Sequence, residues 1–172
     1  MKNNYSSIVL VLLAALCLAG TAEAACSFSL IVSLVALKPV DMGQPGFSMG
    51  DVTNMDADLK YKGKTVGSAI FNTVTNRMPD PTAVDEHRRL EQRLGIAQYH
   101  FGNNNDSLVT IGEFIYTEPS SPQPYSISQV RAVTGGTGKF KYARGQVTLT
   151  RIDATTFKHD FELDANPKLC NF

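Results

Sequence analysis

From Cys26 onward the chain alternates apolar and polar residues with period two, in runs separated by turn-forming residues, and nothing else limits its architecture as strongly. Successive side chains of a strand point to opposite faces, so each run can cover a core on one side only. Seven or eight strands are expected: Cys26–Leu37, Gly50–Tyr61, Thr65–Thr75, Leu94–Phe101, Ser107–Tyr116, Tyr125–Thr134, Tyr142–Ile152 and Phe157–Leu163. Lys62-Gly63-Lys64, Gly102 to Asp106 and Asp153 to Thr156 are short connections rich in residues that accept turn geometry, so sequential strands should pair. An all-β, eight-stranded antiparallel up-and-down β-barrel satisfies this pattern and leaves no open edge.

Three longer connections interrupt it. Lys38 to Phe47 carries two prolines and two glycines, and Thr117 to Pro124 carries three prolines. Asp80 to Leu90 has a capping aspartate, a proline at the first helical position and acidic residues behind it, which predicts a short helix or an ordered loop.

Residues 1–24 stand apart from the barrel pattern. Lys2, the apolar run Ile8 to Leu16, and Ala22-Glu23-Ala24 are the charged, apolar and small-residue zones of a secretory signal peptide. The expected mature chain is a single domain over residues 25–172, secreted or periplasmic. It has no lipid anchor, because no cysteine directly follows Leu18-Ala19-Gly20, and no later apolar run long enough to insert in a membrane. Two cysteines remain near its ends, Cys26 and Cys170, and in an oxidising compartment a disulfide between them is the default expectation, with a two-cysteine metal site the weaker one.

Charge narrows the partners. Sixteen basic residues balance sixteen acidic ones, and Lys60, Lys62 and Lys64 cluster at a turn without interleaved aromatics, so no nucleic-acid surface is expected. Gly46-Phe47-Ser48-Met49-Gly50 matches the spacing of a hydrolase nucleophile elbow, but strand pattern follows it where a helix is required, and a glycine-rich loop is the better reading. Gly135-Gly136-Thr137-Gly138-Lys139-Phe140 lacks the glycine and the hydroxyl residue of a phosphate loop, so no nucleotide cofactor is expected and a bend with a bulge is. His87, His100 and His159 have no zinc-site spacing, so no metal is expected. His159 shares a face with Phe157, Phe161 and Leu163, and His100 with Leu94, Ile96 and Gln98; both read first as core histidines with satisfied hydrogen bonds, and second as ligand-contacting or proton-transfer groups. Asn105-Asp106-Ser107 is a glycosylation sequon in a turn, relevant in a eukaryotic host.

On the second strand Val52, Asn54, Asp56 and Asp58 share one face, and Asp51, Thr53, Met55, Ala57 and Leu59 the other. Alternation does not say which face is inside. Asp51 lies on the more apolar one, where desolvation would raise its pKa and suit it to acid–base work.

The run Ala132 to Val147, containing Gly135-Gly136-Thr137-Gly138-Lys139-Phe140, resembles the most diagnostic stretch of the allene oxide cyclase/dirigent superfamily. Gly50-Asp51-Val52, Val66-Gly67-Ser68-Ala69, and Tyr99-His100-Phe101-Gly102 leading into Leu108 to Gly112 follow the family order, so the resemblance spans roughly Gly50 to Leu163. It implies a calycin-type eight-stranded barrel, a homotrimer, whose cavity binds a small hydrophobic or phenolic molecule and guides its cyclization or stereoselective coupling. It further implies Arg144 and Asp51 as polar catalytic groups, with Asn54 matching a cyclase asparagine. Phe114 stands where cyclases carry a tyrosine and Tyr116 lies two positions on, both expected to touch substrate. Where plant cyclases carry a glutamate on the first strand, Cys26–Leu37 has no acidic residue, which argues against allene oxide itself as substrate. A non-catalytic, lipocalin-like carrier and a barrel packed solid with side chains are the competing expectations.

Overall fold

The computed structural model describes residues 26–102, 105–116, 127–164 and 170. The expected signal-peptide segment and the proline-rich connection Thr117 to Pro124, with the expected strand start at Tyr125, lie outside these residues. Eight strands form one closed antiparallel barrel in sequential order: β1 (Cys26–Val40), β2 (Val52–Tyr61), β3 (Lys64–Arg77), β4 (Glu91–Phe101), β5 (Asp106–Tyr116), β6 (Gln129–Thr137), β7 (Gly145–Arg151) and β8 (Thr156–Leu163). β8 closes the ring on β1, Cys26 facing Leu163 and Phe28 facing Phe161. Among the described residues no helix is long and apolar enough to cross a membrane.

The up-and-down connectivity separates the barrel into two ends. At one end the connections are short. Lys62 and Gly63 both have positive φ, 49° and 79°, the two-residue turn that suits the twist of a hairpin between β2 and β3. Here Phe140, fully buried on a 3₁₀ turn at Gly138–Phe140, seals the barrel, its ring 5.1 Å from Phe101 and 6.3 Å from Phe28. Phe28 in turn stacks on Phe161 at 4.8 Å. The Cys26–Cys170 disulfide, with Cα atoms 5.8 Å apart, ties the start of β1 to the chain's tail at this same end.

The glycine run holds both the bulge and the bend expected of it, at separate places. Gly135 and Gly136 lie within β6, which bulges at Thr134, since Val133 pairs with Thr110 and Gly135 with Val109. The chain turns only at Gly138, whose φ is +58°.

At the other end, apart from the short β7–β8 turn over residues 152–155, the described connections are long. Residues 41–51 link β1 to β2, and residues 78–90 link β3 to β4 through a single 3₁₀ turn at Glu86–Arg89. Asp80 does cap, its carboxylate accepting from the Thr82 backbone N–H (3.0 Å) and hydroxyl (2.6 Å), but it closes a local turn and no α-helix follows.

The strand faces resolve what alternation leaves open. Asp51, Thr53, Met55, Ala57 and Leu59 point inward and Asn54, Asp56 and Asp58 outward. β4 and β6 are inverted: Glu91, Arg93, Gln129 and Arg131 are buried inside the barrel, while Leu94, Ile96 and Val130 are exposed on its outer wall. His100 lies on that outer face of β4, half-buried, so the core reading holds for His159 and is reversed for His100.

Candidate functional site

The long-connection end holds a cluster of polar groups inside the barrel. Glu91 Oε1 accepts from Arg93 Nε at 2.6 Å and from the Thr75 hydroxyl at 3.1 Å. Arg93 also donates through Nη1 to the Thr53 hydroxyl at 2.6 Å, and its guanidinium lies 4.2 Å over the Tyr116 ring. This is a buried ion pair with both side chains almost fully enclosed. Such a pair stabilises little against an apolar replacement, so its presence inside a barrel marks a specialised region.

Arg131 lies deeper. It is wholly buried, with its guanidinium 3.1 Å from the centroid of Phe114. Its Nε donates to the Glu113 carbonyl (3.2 Å) and its Nη2 to Gln129 Oε1 (3.0 Å), while Gln129 is fixed by donating to the Ile115 carbonyl at 3.0 Å. Nη1 is buried and has no hydrogen-bond partner among the described residues. Burial pulls the guanidinium pKa down to about 10, an effect partly opposed by Tyr99 and Tyr116.

Two glycines make room for this stack. Gly95 on β4 and Gly112 on β5 face each other in register. A methyl group at Gly112 would come within 2.8 Å of Arg131 Cγ, and one at Gly95 would overlap the Phe114 ring.

Beside Arg131 is a cavity of about 40 Å³, walled by Val32, Met55, Phe71, Leu149 and Phe157 together with Phe114, Tyr116 and His159, and reaching Leu34 and Leu37 toward the rim. The Tyr99 hydroxyl and His159 Nδ1 share a hydrogen bond of 2.9 Å in its floor. Burial, with a smaller contribution from the Arg131 charge, holds His159 well below its usual pKa, so it is neutral at pH 7. Burial pushes Tyr99 up to about 12 and also raises Tyr116.

Asp51 sits at the rim, where its carboxylate accepts from the backbone N–H groups of Ser48 (2.7 Å) and Met42 (3.1 Å) and from the Ser48 hydroxyl (3.2 Å). These bonds, led by the Ser48 amide, lower its pKa, outweighing the rise that desolvation alone would give. Asp51 thereby folds the 41–51 loop and brings Phe47 to 6.0 Å from the Arg93 guanidinium. Ser48 leads into β2, not into a helix.

The residues expected from sequence thus divide into two groups. Phe114, Tyr116 and His159 line the cavity and Asp51 shapes its rim. Asn54, opposite Lys38 and Asn72, and His100 face outward, and Arg144 is exposed beyond the far end of the barrel, donating to the Ala143 carbonyl at 2.8 Å. Sequence reasoning missed Glu91, Arg93, Gln129 and Arg131. The available signal was the pair of strand glycines, Gly95 and Gly112, which mark where a bulky inward side chain must fit.

No family model and no curated protein sequence matches the chain. Its fold does match solved structures. It is similar to a pyocyanin demethylase at 18% identity, over 80% of this chain and 98% of that one, with a TM-score of 0.62. It is similar to the Diels-Alderase AbmU from Streptomyces koyangensis at 13% identity, over 97% and 83% of the two chains, with a TM-score of 0.62. It is also similar to a pterocarpan synthase dirigent protein at 19% identity, over 81% and 86%, with a TM-score of 0.53. These structures share with the chain the fold of a closed antiparallel eight-stranded barrel.

Proposed function

We propose that the protein binds a small lipophilic or phenolic molecule at the long-connection end of the barrel and guides its cyclization or coupling. The observation that carries this reading is the fully buried Arg131 guanidinium, with a free N–H group, against an otherwise apolar cavity. Small-molecule sites combine apolar walls with a few placed polar groups, and a donor fixed in a water-poor site is strongest where negative charge develops on an oxygen. The walls would hold a reactive molecule in a folded conformation and keep water from it. Fold similarity to a demethylase, a Diels-Alderase and a dirigent protein supports chemistry on small organic molecules.

In this reading Arg131 and the Glu91–Arg93 pair are the polar machinery, Phe114, Tyr116 and His159 contact the molecule, and Asp51 builds the rim. Arg144, Asn54 and His100 are assigned no part. The open space, about 40 Å³, holds only a few atoms, so a whole ligand enters by displacing Leu34, Leu37 or Phe157. The disulfide supports maturation in an oxidising compartment after loss of residues 1–24. Val74, Leu94, Ile96 and Ile111 form an exposed apolar patch across β3, β4 and β5, which supports the homotrimer.

Native mass spectrometry with lipid extraction, on protein purified from its own secretory compartment, tests the reading. The expected result is a trimer carrying a discrete molecule that is converted on incubation. A molecule bound and never converted makes the protein a carrier, and an empty protein that also excludes small hydrophobic dyes overturns the reading.

A further inference from the structure

The two buried arginines differ in one respect. Arg93 has its carboxylate, Glu91, at 2.6 Å, whereas Arg131 has no ion pair among the described residues. The two hydrogen bonds it donates go to neutral oxygens, the Glu113 carbonyl and the Gln129 amide. Burying a charge without a counter-charge is among the costliest arrangements a protein interior can hold. Stacking on Phe114 offsets part of that cost, but a cation on a ring face replaces only a fraction of its hydration.

The placement is built and not incidental. Gly112 and Gly95 are cleared for the arginine stem and for the ring beneath it, and Gln129 is itself locked by the Ile115 carbonyl. No other group of the cavity wall competes as a cation, since His159 is neutral and shares its Nδ1 with Tyr99. The free atom has a definite shape: Nη1 carries two N–H groups, and Nη2 retains one after donating to Gln129. Adjacent N–H groups on Nη1 and Nη2 form the planar fork that fits both oxygens of a carboxylate.

We propose that the ligand of this cavity is an apolar carboxylate, whose anionic head is held by the Nη1–Nη2 edge of Arg131 while its apolar body lies toward Met55, Leu149 and Phe157. The inference rests on the small-molecule reading above and names the substrate class within it. The cavity as it stands, about 40 Å³, is of the size of the head group, and the body occupies the space opened at the rim. The bound carboxylate supplies the counter-charge that the fold leaves out, so binding and charge neutralisation are one event.

The test is isothermal titration of the mature, disulfide-bonded protein with trans-cinnamate and with its uncharged isostere, cinnamamide. The carboxylate is expected to bind about tenfold or more tightly than the amide, and to keep that preference in 0.5 M salt, because a buried pair is weakly screened. In Arg131→Met, checked for folding by its melting transition, the preference of acid over amide is expected to vanish; Arg131→Lys, which keeps charge but not the fork, retains part of it. Equal binding of acid and amide by the unaltered protein overturns the carboxylate inference and leaves the small-molecule site standing. Binding of neither overturns both. A preference that survives in Arg131→Met assigns the anion to another group and overturns the role of Arg131. The comparison of the two probes on the unaltered protein is decisive even if neither variant folds.

Discussion

At the short-turn end of the barrel Phe28, Phe101, Phe140 and Phe161 interlock beneath a disulfide, whereas at the long-connection end the same eight strands enclose Glu91, Arg93, Gln129 and Arg131. The division follows the connectivity. Tight turns need few residues and leave strand ends free to close over an apolar plug, while long connections form a rim above a hole that the strands alone do not fill. Stability is therefore concentrated at one end, and the buried polar groups that cost stability gather at the other.

The largest expected effect tests the first half of that division. The disulfide closes a loop spanning 144 residues, and in the loop-entropy model this restricts the unfolded chain by about 4–5 kcal/mol. Replacing Cys26 and Cys170 by serine should lower the urea midpoint accordingly and leave affinity for a cavity ligand unchanged in the protein that remains folded. A loss of ligand affinity equal to the loss of stability would show that the two ends are coupled and break the comparison.

The next effect belongs to the polar end. Arg93→Met leaves Glu91 buried without its cation and should destabilise by about 3–5 kcal/mol. The double variant Glu91→Leu, Arg93→Met should recover most of that loss, because an apolar pair of similar size suits the interior at least as well as the ion pair does. Chemical denaturation of the two variants and the unaltered protein closes the cycle. If the double variant is no more stable than the single, the polar cluster is structural and the barrel has two stabilising ends.

How far the sequence reveals this arrangement depends on the strand. For β1 and β8 the apolar face is the inner one, and alternation leads directly to Phe28, Leu30 and Val32 against Phe157, His159 and Phe161. For β4 and β6 alternation leads the wrong way, because Leu94, Ile96 and Val130 are outside and Arg93 and Arg131 inside. Hydrophobic patterning reports burial from water, and it cannot distinguish a face buried in the core from one suited to a neighbouring subunit. A polar inner face is equally invisible to it, since charged residues on a strand ordinarily face solvent. The resemblance to the dirigent and cyclase group indicated the barrel correctly, but a motif match places residues in sequence order and not by the direction of their side chains. Arg144 lies near a diagnostic glycine run and yet at the opposite end from the cavity; Arg131 lies in an unremarked strand and reaches into it.

Acid titration sharpens the comparison by a smaller amount. His159 is held neutral in the folded chain, below its unfolded value of about 6.5, by burial and by Arg131, with Tyr99 as its hydrogen-bond partner. Above pH 6.5 both folded and unfolded chains carry it neutral and its contribution to stability is complete. Below that the unfolded chain takes up a proton that the folded chain refuses, so stability falls as pH drops, by about 1.4 kcal/mol per pH unit, until the depressed folded pKa is reached. His159→Phe should remove this component of the slope. An unchanged slope between pH 6.5 and 5 in the variant would show that other groups govern acid stability and that the cavity floor does not.

The smallest expected change in stability carries the most information about function. Arg131 keeps its charge in the folded chain at pH 7, at a desolvation cost expressed in a pKa pulled down to about 10 from the ordinary guanidinium value. Below pH 10 both states are protonated and that cost is present in full; as pH rises through the folded value the folded guanidinium loses its proton first and the cost diminishes. Methionine at this position has no charge to desolvate and retains most of the stem that Gly112 accommodates. Arg131→Met should therefore melt at the same temperature as the unaltered protein or higher, despite losing two hydrogen bonds and the stack on Phe114. A residue whose removal is neutral or stabilising, at a site that two facing glycines clear for it, is held there for what it binds. A melting point depressed by as much as the Arg93→Met variant would instead make Arg131 a structural element, and the polar end would then resemble the apolar one in purpose, differing only in the side chains used.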